Sequence, residues 1–168
     1  MPKIIDDLPR KLMDEARRQI SQSGYGAMTI RSVAKGCGVG VGTVYNYYPS
    51  KDALVASFLL IDWKECLHTI RTVSEAAAEP APVLRSVYDS LRLFLNRHSA
   101  IFQDAAAAAG FSGSFGNYHG LLRSQLAEPL KRFCPDPFTA EFIAEAMLVW
   151  TVNGTPFEEL NGILTKLF

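Results

Sequence analysis

Apolar residues recur every third or fourth position through most of the chain, and the strict alternation that marks half-buried strands is scarce. Leu8, Leu12, Ala16 and Ile20 share one stripe, with Arg10, Lys11, Asp14, Arg17 and Arg18 on the other faces. This predicts an amphipathic first helix that Gly24 stops. Thr29 can cap a second, short helix whose stripe is Ile30, Val33, Ala34 and Cys37. Ser50, after Pro49 and before Asp52, caps a long helix carrying Leu54, Val55, Phe58, Leu59, Ile61, Trp63, Leu67 and Ile70. The stretch SEAAAEPAP ends that helix and begins another, with Val83, Leu84, Val87, Leu91, Phe94 and Leu95 on one side. An alanine-rich helix comes next, around Ile101 to Ala109, then the glycine-bearing loop FSGSFGNYHG. A helix from about Tyr118 to Phe133, kinked by Pro129, and an apolar helix from Phe138 to Val152 come after it. Asn153-Gly154 closes the latter, and Thr155, Pro156 and Glu158 spell the capping box of a last helix that buries Phe157, Leu160, Ile163, Leu164 and Leu167. The pattern predicts an all-α chain of about nine helices.

Residues 36–48, GCGVGVGTVYNYY, do not follow this pattern. Glycines at every second position suggest a phosphate loop, but neither G-x-G-x-x-G nor the P-loop spacing is met, and no strand flanks the stretch. Val39, Val41, Thr43, Tyr45 and Tyr47 alternate as a strand would, yet a lone strand among short capped helices has nothing to pair with. Helical spacing also fits, since Val41, Val44, Tyr45 and Tyr48 cover one side of a helix starting near Gly40. Ala34 in the first helix, Gly38 four residues later, which can take positive φ and make the turn, and Val44 pointing back to the core give a spacing that resembles a helix-turn-helix.

With its flanks included, the run GYGAMTIRSVAKGCGVGVGTVYNYYPSKDAL, residues 24–54, resembles the N-terminal domain of TetR-family transcriptional regulators. The resembling elements are the glycine-aromatic entry ending in Thr29-Ile30, the A-x-x-x-G turn from Ala34 to Gly38, the Gly42-Thr43-Val44-Tyr45 recognition helix and the closing Ser50-Lys51-Asp52. The resemblance implies a three-helix DNA-binding domain over residues 1–51 and a helical effector-binding and dimerisation domain over residues 52–168. It implies phosphate contacts from Thr29, Thr43, Tyr47 and Lys51 on double-stranded operator DNA. Gly40 and Gly42 let the recognition helix approach the backbone, and Tyr45 is long enough to reach phosphate or a thymine methyl. For Tyr45 and Tyr47 the alternative is packing within the small module. Base reading rests on Asn46, suited to adenine, and on Arg31 early in the second helix. Val41 stands where many relatives are polar. Lys3, Arg10 and Lys11 can add charge toward the backbone or simply face solvent.

One such module reads a half-site, so the resemblance implies a homodimer on a palindromic operator. The last two helices are the expected interface, through Phe142, Met147, Trp150, Leu160, Leu164 and Leu167, with Phe138, Ile143, Ala146 and Phe157 beside them. Trp63, Phe94, His98, Phe102, Phe115, Tyr118 and His119, with Phe111 and Asn117, have the composition of an effector pocket or of plain core. A small, fairly hydrophobic effector that shifts the spacing of the two recognition helices would make the protein a ligand-released repressor. The alternative is a helix-turn-helix-derived protein that acts through a protein partner without operator binding.

Charge supports the division. The net charge is zero, but residues 1–51 hold eight Lys and Arg against four Asp and Glu, and the remainder holds nine against thirteen. A chain that is 48% apolar and 20% charged reads as soluble and globular. No apolar run reaches membrane-spanning length and no signal peptide is visible, so a cytoplasmic protein is expected. Cys37, Cys66 and Cys134 form no C-x-x-C pair, so neither a disulfide framework nor a metal site is expected. No H-E-x-x-H or G-x-S-x-G is present, and neither a cofactor nor an enzymatic activity is expected.

Overall fold

The computed structural model describes residues 7–105, 107 and 119–168, and every regular element among them is helical. In chain order these are α1 (Leu8–Ala27), α2 (Ile30–Gly36), α3 (Val41–Tyr45), α4 (Lys51–Ala76), α5 (Ala81–Arg97), α6 (Ser99–Phe102) and α7 (residues 119–127). A 3₁₀ segment (Glu128–Phe133), α8 (Pro137–Val152), α9 (Phe157–Leu164) and a terminal 3₁₀ turn (Thr165–Leu167) complete the chain. The all-α class is as the periodicity predicts. Lys3, Phe111, Phe115, Asn117 and Tyr118 lie outside the described residues.

The described residues form two compact units, divided inside α4 after Ile61. The first unit runs to Ile61 and takes in the segment that starts at His98. Its core is the predicted stripe of α1 (Leu8, Leu12, Ala16, Ile20), joined by Met28, Ile30, Val33, Ala34, Val44, Leu54, Val55, Phe58 and Ile101. α2 opens on a reciprocal capping box. The Ser32 N–H donates to Thr29 Oγ1 and the Thr29 N–H donates to Ser32 Oγ, both at 3.0 Å. Ser50 caps α4 through the Ala53 N–H at 3.0 Å, as expected.

The second unit holds Asp62–Arg97 and the chain from residue 119 onward. Its core joins Ile70 of α4, Val83, Leu84, Val87 and Leu91 of α5, Leu126 of α7, Leu130, and Ile143, Ala144 and Met147 of α8 to Phe157, Leu160 and Leu164 of α9. The open carbonyls at the end of α4 are met by the Arg132 guanidinium, which donates to the carbonyls of Ser74 at 2.7 Å and Ala77 at 3.3 Å. Asp136 caps α8, accepting from the Thr139 N–H at 2.9 Å. Among the described residues no helix is long and apolar enough to cross a membrane.

Four local expectations change. Gly24 (φ 82°) breaks α1 without ending it, and one more turn continues to Ala27. The alanine-rich helix is interrupted: α6 ends at Phe102, and Asp104 starts afresh by accepting the Ala107 N–H at 3.2 Å. Pro129, which cannot donate to the preceding turn, converts the end of α7 to 3₁₀ geometry rather than bending a continuing helix. The Thr155 capping box does not form, because the chain leaves α8 through Gly154 (φ 83°) and the Thr155 N–H donates to the Trp150 carbonyl at 3.0 Å. Pro156 therefore precedes α9, and Glu158 pairs with Arg85 at 3.0 Å.

Candidate nucleic-acid interface

The turn between α2 and α3 is closed by backbone hydrogen bonds. The Val39 N–H donates to the Ala34 carbonyl at 3.0 Å and the Gly38 N–H to the Lys35 carbonyl at 3.2 Å, with Gly38 at φ 67°. This pairing closes the end of α2 and needs a residue in the left-handed region, which glycine enters without steric cost. Val44, fully buried, then pins the inner side of α3, and Tyr48 donates its hydroxyl to the Pro9 carbonyl at 3.2 Å.

The outer side of α3 is left to solvent. Tyr45 is 52% and Tyr47 49% exposed, so neither packs inside the module, and Asn46 between them is exposed as well. Thr43 and Val41 are half-buried. A methyl group built on Gly42 would meet nothing within 4 Å, so the chain itself does not require a glycine there. Thr29 Oγ1 accepts the capping bond and keeps its own O–H to donate outward, and Arg31 is exposed in the first turn of α2.

Lys51 is more constrained than its spacing suggests. Its ammonium lies 4.0 Å from the centre of the Tyr25 ring and donates to the Tyr25 carbonyl, while burial pushes it below the usual lysine value. The Tyr25 hydroxyl donates to Asp52, and burial, then that carboxylate, raises the phenol above its ordinary value. Asp104 Oδ2 accepts the Gly26 N–H at 3.0 Å. Sequence spacing does not reveal this corner. Its one signal in the sequence is Asp104 itself, an aspartate three residues before an alanine it can cap.

The effector-pocket candidates do not come together as one group. Trp63 and Phe94 meet edge to face at 5.5 Å in the second unit, where the Trp63 indole donates to Gln125 at 2.7 Å. His119 lies in the same unit and pairs with Glu145 at 2.9 Å. His98 and Phe102 belong to the first unit, where the buried imidazole stacks on Phe58 at 5.9 Å and meets Phe102 at 6.4 Å. A cleft between α4 and α5 is lined by Asp62, Glu65, Cys66, Leu93, Phe94 and Arg97, among others, so only Phe94 of the candidates lines it. Burial raises the thiols of Cys37, Cys66 and Cys134 above their ordinary value.

The interface candidates divide by face. Met147, Leu160 and Leu164 are buried inside their own unit, because the inner stripe of each helix also falls on these positions. Phe142 and Trp150 are each 52% exposed, and Leu167 is half-buried. Phe138, Val149 and Val152 of α8 and Ile163 of α9 are also exposed.

A short helix held by its inner side, with aromatic and amide side chains outward and a hydroxyl-capped helix beside it, defines a helix-turn-helix module carried on an all-α chain. Residues 12–58 match the model of bacterial regulatory proteins of the tetR family. The HTH-type transcriptional regulator UidR of Escherichia coli (strain K12) is 28% identical over 156 residues, 93% of this chain and 72% of that protein. A transcriptional regulator of Streptomyces coelicolor A3(2) superposes with a TM-score of 0.70 at 14% identity, over 94% of this chain and 96% of that one. The TetR-family regulator CifR, solved with 26-bp double-strand operator DNA, gives a TM-score of 0.55 at 14% identity over 99% of this chain and 97% of that one. Over residues 12–58 the chain is thus similar to bacterial regulatory proteins of the tetR family, and over most of its length it is similar to a transcriptional regulator.

Proposed function

We propose that this protein is a ligand-responsive repressor that binds a palindromic operator as a homodimer. The observation that carries the reading is the outward set at the end of α3 and in the turn after it, in which Tyr45, Asn46 and Tyr47 are exposed, together with a glycine in α3 that the fold does not need. Residues 1–51 serve as the DNA-binding domain and residues 52–168 as the effector and dimer domain. Thr29, Thr43, Tyr45, Tyr47 and Lys51 meet phosphate. Asn46 and Arg31 read bases, and α3 carries no Arg, Lys or Gln to do so in their place. The apolar stripe of α8, with Phe142 and Trp150 half-exposed, supports pairing with a second copy. The effector is small and fairly hydrophobic, a reading supported by the Trp63–Phe94 ring pair. The protein works in the cytoplasm, where its operator is.

An electrophoretic shift with DNA flanking the protein's own gene tests this reading. A retarded band is expected, lost on adding an effector found in a thermal-shift screen. Failure to bind that DNA at low salt, with binding to a protein partner instead, refutes operator recognition.

A further inference from the structure

A polar seam joins α1 to α2 in the first unit. Glu15 and Gln19, one turn apart on α1, face Gly36 and Ser32, one turn apart on α2. A methyl group built on Gly36 would overlap the Glu15 carboxyl, so the glycine leaves room for that side chain against α2. Arg18 grips Glu15 through Nε at 2.8 Å and a terminal nitrogen at 2.6 Å, and Gln19 Nε2 donates to Glu15 Oε1 at 2.7 Å. An ionised carboxylate only accepts, so it turns the amide nitrogen of Gln19 toward itself and the amide oxygen toward α2. That oxygen accepts the Ser32 hydroxyl at 2.5 Å.

Ser32 is also the residue that closes the start of α2 with Thr29. Its Oγ accepts the Thr29 N–H, and Thr29 Oγ1 accepts the Ser32 N–H, both at 3.0 Å. A serine hydroxyl has a single hydrogen. Two acceptors compete for it, the Gln19 amide oxygen at 2.5 Å and the Thr29 carbonyl at 2.8 Å. That carbonyl already takes the Val33 N–H at 3.0 Å as the first bond of the helix, so Gln19 is the acceptor that leaves the turn undisturbed. Thr29 stands exposed at the end of this chain of contacts, its oxygen placed by the cap and its hydrogen left for an outside acceptor. We propose that Gln19 is a positioning residue for DNA binding: its amide ties the cap of α2 to α1 and so fixes the place from which the Thr29 hydroxyl meets phosphate. The inference rests on the DNA-binding reading above and adds to it a residue of α1, outside the helix-turn-helix, that acts through Ser32 and Thr29.

Gln19→Leu removes the amide and keeps a side chain of similar bulk at this half-buried position, and Gln19→Met is a second, unbranched replacement. In both, the Ser32 hydroxyl falls back on the Thr29 carbonyl and the cap survives, so thermal denaturation is expected to stay close to wild type. Binding is measured by fluorescence anisotropy on a short labelled duplex of mixed sequence, between about 50 and 200 mM salt, because phosphate contacts are independent of sequence. Several-fold weaker binding is expected, by the same factor at every salt concentration, because a misplaced hydroxyl takes no cation away from the DNA. Thr29→Gly keeps most of the capping preference and lacks the hydroxyl, and in that background the Gln19 replacement is expected to change nothing. An equal loss in both backgrounds, or a flatter salt slope, would show that Gln19 shapes other contacts; either result overturns the proposal, as does wild-type affinity in both Gln19 variants. If both variants fail to fold, Gln19 holds the module together rather than placing Thr29, and the proposal fails. If the wild-type protein does not bind the duplex at any salt, the DNA-binding reading itself fails and the inference falls with it.

Discussion

In Gly42→Ala a methyl group enters the second position of α3, where the chain leaves the space open. Alanine is favoured over glycine within a helix by up to about 1 kcal/mol, and by less in a helix as short as α3. For a domain of this size 1 kcal/mol corresponds to roughly 2–4 °C in Tm, so the variant is expected to melt at the wild-type temperature or slightly above it. On DNA the same methyl is an obstruction. A backbone N–H reaches a phosphate oxygen at about 2.9 Å, whereas a methyl carbon needs about 3.5 Å from its neighbours. Loss of that close approach is expected to weaken binding by about tenfold or more, or 1.4 kcal/mol, and to flatten the log–log salt slope by about 0.9 per lost phosphate. Anisotropy titrations on the DNA upstream of the gene, read beside thermal denaturation, provide both quantities. Full affinity with an unchanged slope would refute the close approach of α3, and a lowered Tm would refute the open space around Gly42.

Other substitutions probe the turn, the outer face of α8 and the cap of that helix. Gly38→Ala places a side chain at φ 67° and is expected to cost roughly 1–2 kcal/mol on conformation alone, since nothing lies within 4 Å to clash with it; a wild-type denaturation midpoint would show that the turn relaxes. Phe142→Arg combined with Trp150→Arg, both on the exposed stripe, is expected to turn a dimer into a folded monomer, read by light scattering at micromolar concentration. A variant that stays dimeric would move the interface elsewhere. The Thr139 N–H and hydroxyl hold the Asp136 carboxyl below its ordinary value, so its contribution to stability is complete above about pH 4 and is lost as pH falls through the lower folded value. Asp136→Asn keeps a capping oxygen without that titration and is expected to flatten the acid limb of a Tm-against-pH curve. An unaltered limb would assign it to other carboxylates.

The helices were legible because burial and periodicity coincide in them. Leu8, Leu12, Ala16 and Ile20 repeat every fourth residue and all four are buried, and Ser50 caps α4 where its position before Asp52 indicates. Helix ends were read less well where two signals compete for the same residues. At residues 153–158 the sequence offers both a glycine exit and a threonine capping box, and the two need the Thr155 backbone in different places. The exit prevails because the Thr155 N–H satisfies the Trp150 carbonyl, and Glu158 is then available to meet Arg85. At residues 101–109 alanine propensity argued for one helix, and a single carboxylate, that of Asp104, divides it because a side-chain cap offers the backbone an alternative partner.

For the candidate site the difference lies between local and distant causes. Gly38, Val44, Tyr45 and Tyr47 are governed by neighbours within ten residues, so sequence spacing alone separates turn, inner face and outer face. Lys51 is governed by Tyr25, which is 26 positions away, and no local pattern carries that information. The same limit explains α8. A helix that is apolar on nearly every side states that two surfaces will be covered, but not which residues serve which. Met147 and Phe142 are equally apolar in sequence, and only the packing of α5 and α9 against α8 turns the first inward and leaves the second exposed. Phe142 is half-exposed on a helix whose inner side is already packed, so its replacement by a charge leaves that core in place and tests association more than stability.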